Sequence, residues 1–211
     1  MAVRIQSPYL NGVDVWLKGN LHAHTTNSDG ELGPQALVDA YTSLGCDFLM
    51  ISDHDFFTNP ERLDPRGMIL IPGNEITAGG PHILHVGARE ALNPRGERQT
   101  LLDAIVGDGG FSIICHPNWE EDFNHCPQEQ LEAWQGYIGV EIGNGACFIA
   151  PGSGLATDRW DRLLAQGRRV WGYGNDDAHK RQHVGLIWNV VQCAGRDKAS
   201  LLEALRLGRF Y

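Results

Sequence analysis

Residues 13–52 read VDVWLKGNLHAHTTNSDGELGPQALVDAYTSLGCDFLMIS, and the order of patterns within them decides the fold. VDVWLKGNLHAH predicts a strand that ends in two histidines. A helix is expected over 34–44. Pro34 suits its first position, Leu37, Val38, Tyr41 and Leu44 form one stripe, and Gly45 can end it. DFLMIS is then a short continuous apolar run, as a buried parallel strand requires. This is a strand–helix–strand unit, and the pattern repeats downstream. GMILIP, HILHVG, FSIICH, YIGVEIGNG, RRVWGYG and GLIWNVVQC read as further strands. Helices are expected in TLLDAIVGDGG, in TDRWDRLLAQG with Thr157 or Asp158 as cap, and in KASLLEALRLG. The alternation argues for an α/β fold with a mainly parallel sheet or barrel. With 211 residues the chain is short for a regular eight-unit barrel, which takes about 250. A compact or incomplete barrel fits better.

The bulk composition narrows the function. The chain is 42% apolar and 20% charged, which suits one globular domain spanning 1–211. A net charge of −9 disfavours stable nucleic-acid binding and docking on anionic membranes. The five cysteines, Cys46, Cys115, Cys126, Cys147 and Cys193, form no C-x-x-C pair. They read as buried free thiols of a reducing compartment. The opening MAVRIQSPYLNGVDVW lacks a basic segment followed by an apolar core, and no apolar run reaches membrane-spanning length. A cytoplasmic protein is the expectation; the oligomeric state is not readable.

The unusual polar residues fall in one place. His22 and His24 close the first strand, and alternation aims both rings the same way. Asp29 follows in the loop. Asp53 and His54 come directly after FLMIS, Glu75 after ILIPGN, and His116 after FSIIC. Asp176, Asp177 and His179 follow VWGYGN, and His82 opens HILHVG. Nearly all lie just past the C-terminal end of an expected strand, where α/β folds build their sites. Singly, a histidine here could be satisfied by backbone, Asp29 and Asp53 could be turn residues, and Glu75 a surface charge. Together they form a mixed imidazole and carboxylate set, suited to zinc, manganese or iron more than to calcium or magnesium. The ligands exceed what one ion takes, so two to three divalent ions are implied. Such ions activate water, clamp a substrate oxygen and stabilise a leaving oxygen, which is hydrolase chemistry.

LHAHTTNSDG, ISDHD, GNEITAGGPH, CHPNW and GNDDAH resemble, in order, the motifs of the PHP (polymerase and histidinol phosphatase) superfamily of metal-dependent hydrolases. The opening WLKGNLHAHTTNSDG looks most like stand-alone bacterial members, including the carbaryl-hydrolase-like branch. The resemblance spans residues 16–179 and implies a distorted (β/α)7 barrel. It implies one ion on His22, His24, Glu75 and Asp177, and a second on Asp29, His54 and His179. A third would take Glu75, His82 and His116, with Glu75 bridging. His82 has the spacing from Glu75 that the family uses; His85, on the other face of a strand, is the competing choice. Asp176 could orient His179 or a substrate, and Asp53 could bond a ligand imidazole or serve the turn.

Most relatives cleave phosphoesters, so a small-molecule phosphoester or nucleotide is the expected substrate. Asp29 or His179 would assist proton transfer to the leaving oxygen. Arg89, Arg95, Arg98, Lys180 and Arg181 are candidate phosphate contacts, and Lys180 and Arg181 stand out because they follow a ligand. The alternative keeps the metals and cleaves a carboxyl ester or carbamate, with Trp119 and Phe123 near an apolar pocket. A module with a degraded site would lack ligands, and here every motif position is filled.

Overall fold

The computed structural model describes residues 7–211. The expectation of no leader over 1–16 therefore rests partly on residues outside the described ones. Among the described residues, nine strands are interspersed with five α-helices. They are β1 (Trp16–Asn20), α1 (Pro34–Ser43), β2 (Phe48–Met50), β3 (Ile69–Ile71), β4 (Gly73–Ile76) and β5 (Ile83–Val86). Then come α2 (Arg98–Gly107), β6 (Phe111–Ile114), α3 (Gln128–Ala133), β7 (Gly139–Asn144) and α4 (Thr157–Ala165). β8 (Trp171–Asn175), β9 (Asn189–Gln192) and α5 (Lys198–Arg206) complete them. α1 starts on Pro34 as expected, buries Leu37, Val38 and Tyr41, and is followed by Gly45 at φ +68°. α4 has neither expected cap. Ala156 precedes it without a side-chain bond, and Asp158 instead accepts from Asn118 Nδ2 at 2.7 Å.

The strands form two sheets, ordered β3-β2-β1-β9 and β4-β5-β6-β7-β8. β2 runs parallel to β1 and β3, and β6, β7 and β8 run parallel to one another. β5 is antiparallel to both β4 and β6. The architecture is α/β, as expected, but a closed hydrogen-bonded barrel does not form among the described residues. Two edge strands explain this. β9 pairs antiparallel with β1 from Trp16 to Gly19 and takes the edge that β8 would need. β3 pairs with β2 along Phe48–Met50 and takes the edge that β4 would need. Among the described residues, backbone pairing between the sheets is limited to the single bridges Ala23↔Ala178 and His54↔Glu75, beyond these ladders.

One core lies between the sheets and includes Leu17, Phe48, Met50, Leu84, Ile113 and Tyr173. A second, with Ile83, Leu102, Ile105, Ile114 and Leu163, packs helices onto the larger sheet. All five cysteines are buried and unpaired. No helix among the described residues is long and apolar enough to cross a membrane.

Across β4, β5 and β6, Asn74, His85 and Ser112 stand in register. All three are fully buried, and their side chains make no hydrogen bond within the protein. Alternation puts His85 on the face of Ile83, in the helix-packed layer. Burial holds its imidazole down at about 4, against a weaker upward pull from Asp108. An unfolded histidine titrates near 6.5. Between these values the unfolded chain binds a proton that the folded chain does not. The neutral ring's contribution is thus complete above pH 6.5 and is lost as pH falls toward 4. Urea titrations of the wild type and His85→Met at pH 7 and pH 5 should differ. The variant should lose about 1–2 kcal/mol less on acidification; an equal loss in both would show that His85 is not responsible.

Candidate metal centre

The polar residues predicted from sequence meet at the end of the molecule where the two sheets touch. His22 and His24 extend β1 past its pairing with β9. His54 follows β2, Glu75 sits on β4, His116 follows β6, and Asp177 and His179 follow β8. His82 precedes its strand, yet reaches the same rim because β5 runs antiparallel to its neighbours. His116 and Asp177 take φ values of +24° and +53°, where non-glycine residues are uncommon and costly.

Glu75 is the hub. It is fully buried and faces five imidazoles. Its Oε1 lies 3.0 Å from His82 Nδ1, 3.3 Å from His22 Nε2 and 3.4 Å from His116 Nε2. Its Oε2 lies 2.7 Å from His54 Nδ1 and 3.6 Å from His24 Nε2. Asp177 Oδ1 is 3.0 Å from His24 Nε2, 3.2 Å from His22 Nε2 and 3.4 Å from His179 Nδ1. At the exposed rim, Asp29 Oδ1 is 3.4 Å from His54 Nε2 and 3.5 Å from His179 Nε2. All nine predicted ligands are thus brought together.

The donor set fits divalent ions. His22 Nδ1 is 2.7 Å from Glu141 Oε1, so the ring donates there and turns Nε2 toward Glu75 and Asp177. That Nε2, Glu75 Oε2 and His54 Nδ1 are buried and make no hydrogen bond, and each faces another atom able to ligate a metal within 3.3 Å. Lone pairs that face one another at such distances call for a shared cation. The electrostatics agree. Burial depresses the His22 imidazole, but Asp177, Glu141 and Glu75 outweigh it and raise the ring well above its ordinary value. Burial pushes Glu75 and Asp177 up, and the surrounding imidazoles, His22 first, pull both well below the carboxylate range. His24 is held down to about 4, chiefly by burial. The cluster demands positive charge where a divalent ion would place it. Ligand atoms within 4.8 Å of one another group as His22, His24 and Asp177; as His24, Asp29, His54 and His179; and as His82, His116 and His125. A fourth group joins Glu75 to His22, His116 and Cys115.

Other expectations resolve differently. His82 is in the centre and His85 is in the helix-packed layer. Asp53 touches no imidazole. It accepts from Thr25 N at 2.6 Å, Thr25 Oγ1 at 2.8 Å, Ser28 Oγ at 2.9 Å and also Thr58 Oγ1. Its role is the turn that carries Asp29. Asp176 accepts from Tyr41 Oη, Gly185 N and Ile187 N, each at 2.7 Å. It fastens the segment after β8 and does not orient His179. Arg98 is buried and donates to backbone carbonyls of Thr77, Ala78, Gly80, Pro81 and Pro94, so it is structural. Arg89 is an exposed partner of Asp108. Lys180 and Trp119 line the cavity over the centre; Arg181 and Phe123 do not. Sequence reasoning missed Glu141, Asn144, Asn175 and His125. Glu141 was detectable as the lone carboxylate in the apolar run YIGVEIG. Its Oε2 also accepts from His116 N at 3.0 Å and Asn144 Nδ2 at 2.9 Å.

The profile of the PHP-associated family matches residues 162–210, which include Asp177 and His179. Comparison with curated proteins gives no match. Among solved structures, a two-domain protein of Bacteroides vulgatus containing a predicted PHP-like metal-dependent phosphoesterase superposes with a TM-score of 0.74. It is 21% identical, and the alignment covers 100% of this chain and 68% of that one. An amidohydrolase of Chromobacterium violaceum gives 0.63 at 15% identity, covering 92% and 97%. A lesion-specific endonuclease of Pyrococcus furiosus gives 0.64 at 12% identity, covering 91% and 56%. The family match covers only the C-terminal part of the chain, and the superposed structures share its fold. They do not single out the carbaryl-hydrolase-like branch.

Glu141→Gln should weaken metal binding by about 10–100-fold, because a neutral amide holds the His22 ring less firmly than a carboxylate. Chelator competition followed by elemental analysis measures this, with circular dichroism as the check on folding. An affinity equal to wild type would show that Glu141 does not support His22.

Proposed function

We propose that this protein is a metal-dependent phosphoesterase acting on a small-molecule phosphate ester through two to three divalent ions of the zinc, manganese or iron class. The observation that carries it is Glu75, a fully buried carboxylate facing five imidazoles beneath a cavity of about 360 Å³. His22, His24, Glu75 and Asp177 would hold one ion; Asp29, His54 and His179 a second; Glu75, His82 and His116 a third. When bound, such ions lower the pKa of water and neutralise phosphoryl oxygens. The remaining work belongs to the chain. Lys180 sits on the cavity wall and offers its ammonium to the phosphoryl group. Asp29 and His179 stand 3.5 Å apart at the open rim; the Asp29 carboxylate, with two oxygens, would both serve the ion and assist proton transfer to the leaving oxygen. Glu141 and Asn144 hold the buried side of the cluster and exclude water from it. The phosphoesterase described for the Bacteroides vulgatus protein is compatible with this reading. The amidohydrolase of Chromobacterium violaceum is compatible with a second one, carboxyl-ester or carbamate cleavage at the same centre.

Elemental analysis of mildly purified protein should find about two to three transition-metal ions per chain. After addition of Mn²⁺ or Zn²⁺, p-nitrophenyl phosphate or bis-p-nitrophenyl phosphate should be hydrolysed faster than p-nitrophenyl acetate. Turnover of the acetate alone would reject the phosphoesterase reading in favour of the second. His116→Ala should lose one ion and about 100-fold or more in phosphatase turnover; an unchanged rate would refute the assigned ligands.

A further inference from the structure

The cavity has two unlike walls. One is the ligand cluster. The other is apolar and consists of Trp119, Ala146, Cys147, Ile149 and Ala150. The apolar wall comes from two loops, one after β6 and one after β7, that are joined to each other. Trp119 bridges Gly152 in antiparallel fashion. Glu120 N donates to Pro151 O at 3.2 Å, and Ser153 N donates to Asn118 O at 2.8 Å. Gly152 permits this approach: its φ is +94°, and a Cβ there would meet Glu120 O at 2.5 Å. The Trp119 ring is fixed as well, edge-on to His116 with centroids 5.1 Å apart. Ile149 stays 68% exposed beside this ring.

What the lining lacks is equally informative. Outside the ligand cluster its only polar side-chain groups, among the described residues, are those of Lys180 and His183, the Trp119 indole N–H and the Cys147 thiol. It contains no serine, threonine, asparagine, glutamine or tyrosine side chain. A sugar or polyol entering here would find few partners for its several hydroxyl groups, which is costly. One lysine matches one phosphoryl group and not a polyphosphate.

We propose that the Trp119–Ile149 wall receives the alcohol part of the substrate, and that the substrate is a phosphoester of an apolar, aromatic alcohol. This rests on the phosphoesterase reading above. A cavity of about 360 Å³ has room for a phosphoryl group and one ring.

The test compares phenethyl phosphate with glycerol 1-phosphate on the Mn²⁺-restored protein, since both leave as aliphatic alkoxides. The expected kcat/KM is at least about tenfold higher for phenethyl phosphate, the gain from burying a ring. Calorimetry should likewise find phenethylphosphonate bound at least about tenfold more tightly than methylphosphonate. Trp119→Ala should erase both preferences. Because it removes a ring packed on His116, the exposed Ile149→Ser is the second variant, and it should reduce both preferences by about threefold or more. If neither these esters nor the p-nitrophenyl phosphates are hydrolysed, the phosphoesterase reading fails and takes this proposal with it; turnover of a p-nitrophenyl phosphate with neither of these esters hydrolysed overturns this proposal alone. If glycerol 1-phosphate is turned over as well as phenethyl phosphate, or both variants keep the preferences, this proposal alone is overturned.

Discussion

A carboxylate with no access to water, Glu75, sets the terms for the rest of the molecule. Burying an isolated carboxylate costs many kcal/mol, so the fold must answer it with opposite charge or donors. It answers with five imidazoles drawn from four separate segments, which carry His22 with His24, His54, His82 and His116. No single segment could do this. β4 has to end at the rim, and β5 has to turn back antiparallel so that His82 arrives at the same level. The price is that uncompensated nitrogen lone pairs face carboxylate oxygens unless a cation is shared between them.

A second layer keeps that arrangement from relaxing. Glu141 receives His22 Nδ1, the backbone N–H of His116, and the side-chain amides of Asn144 and Asn175. Asn144 donates in turn to Asp177 Oδ2 at 3.2 Å. Glu141 therefore links one ligand's ring to another ligand's backbone, and Asn144 carries the link to a third. This explains how His116 and Asp177 are held in left-handed backbone conformations that they would not otherwise adopt. The strain is local and the network that opposes it is buried.

The sequence shows much of this and hides the rest for definite reasons. β2 and β6 are legible because fully buried strands are short apolar runs. β4 is not, because Gly73, Asn74 and Glu75 interrupt any apolar pattern, and GNEI reads as a site loop. α3 offers one buried aliphatic residue, Leu131, too few for a stripe. Most of the nine candidate ligand positions are legible because imidazoles and carboxylates recur just past apolar runs. Glu141 lies inside such a run, and only the pairing of β7 with β6 and β8 brings it under His22. Barrel closure is hidden for the same reason. Its failure depends on β9 taking the edge of β1, a contact between residues 170 to 176 positions apart.

That incomplete closure is also what makes room for the centre. Where strands pair continuously, neighbouring backbones stand about 5 Å apart and side chains fill the interior. Here the ladders stop short, and each seam is spanned by one bridge. One bridge joins His54 to Glu75; the other joins Ala23, between His22 and His24, to Ala178, between Asp177 and His179. Six of the nine candidate ligands thus sit on, or next to, the two seams. A continuous ladder would commit these backbones to a regular twist and point alternate side chains away from the rim. Single bridges fix the spacing at one point and leave the flanking residues free to turn inward. The (β/α)7 pattern expected from sequence fails to close for the same reason that the imidazoles and carboxylates can converge.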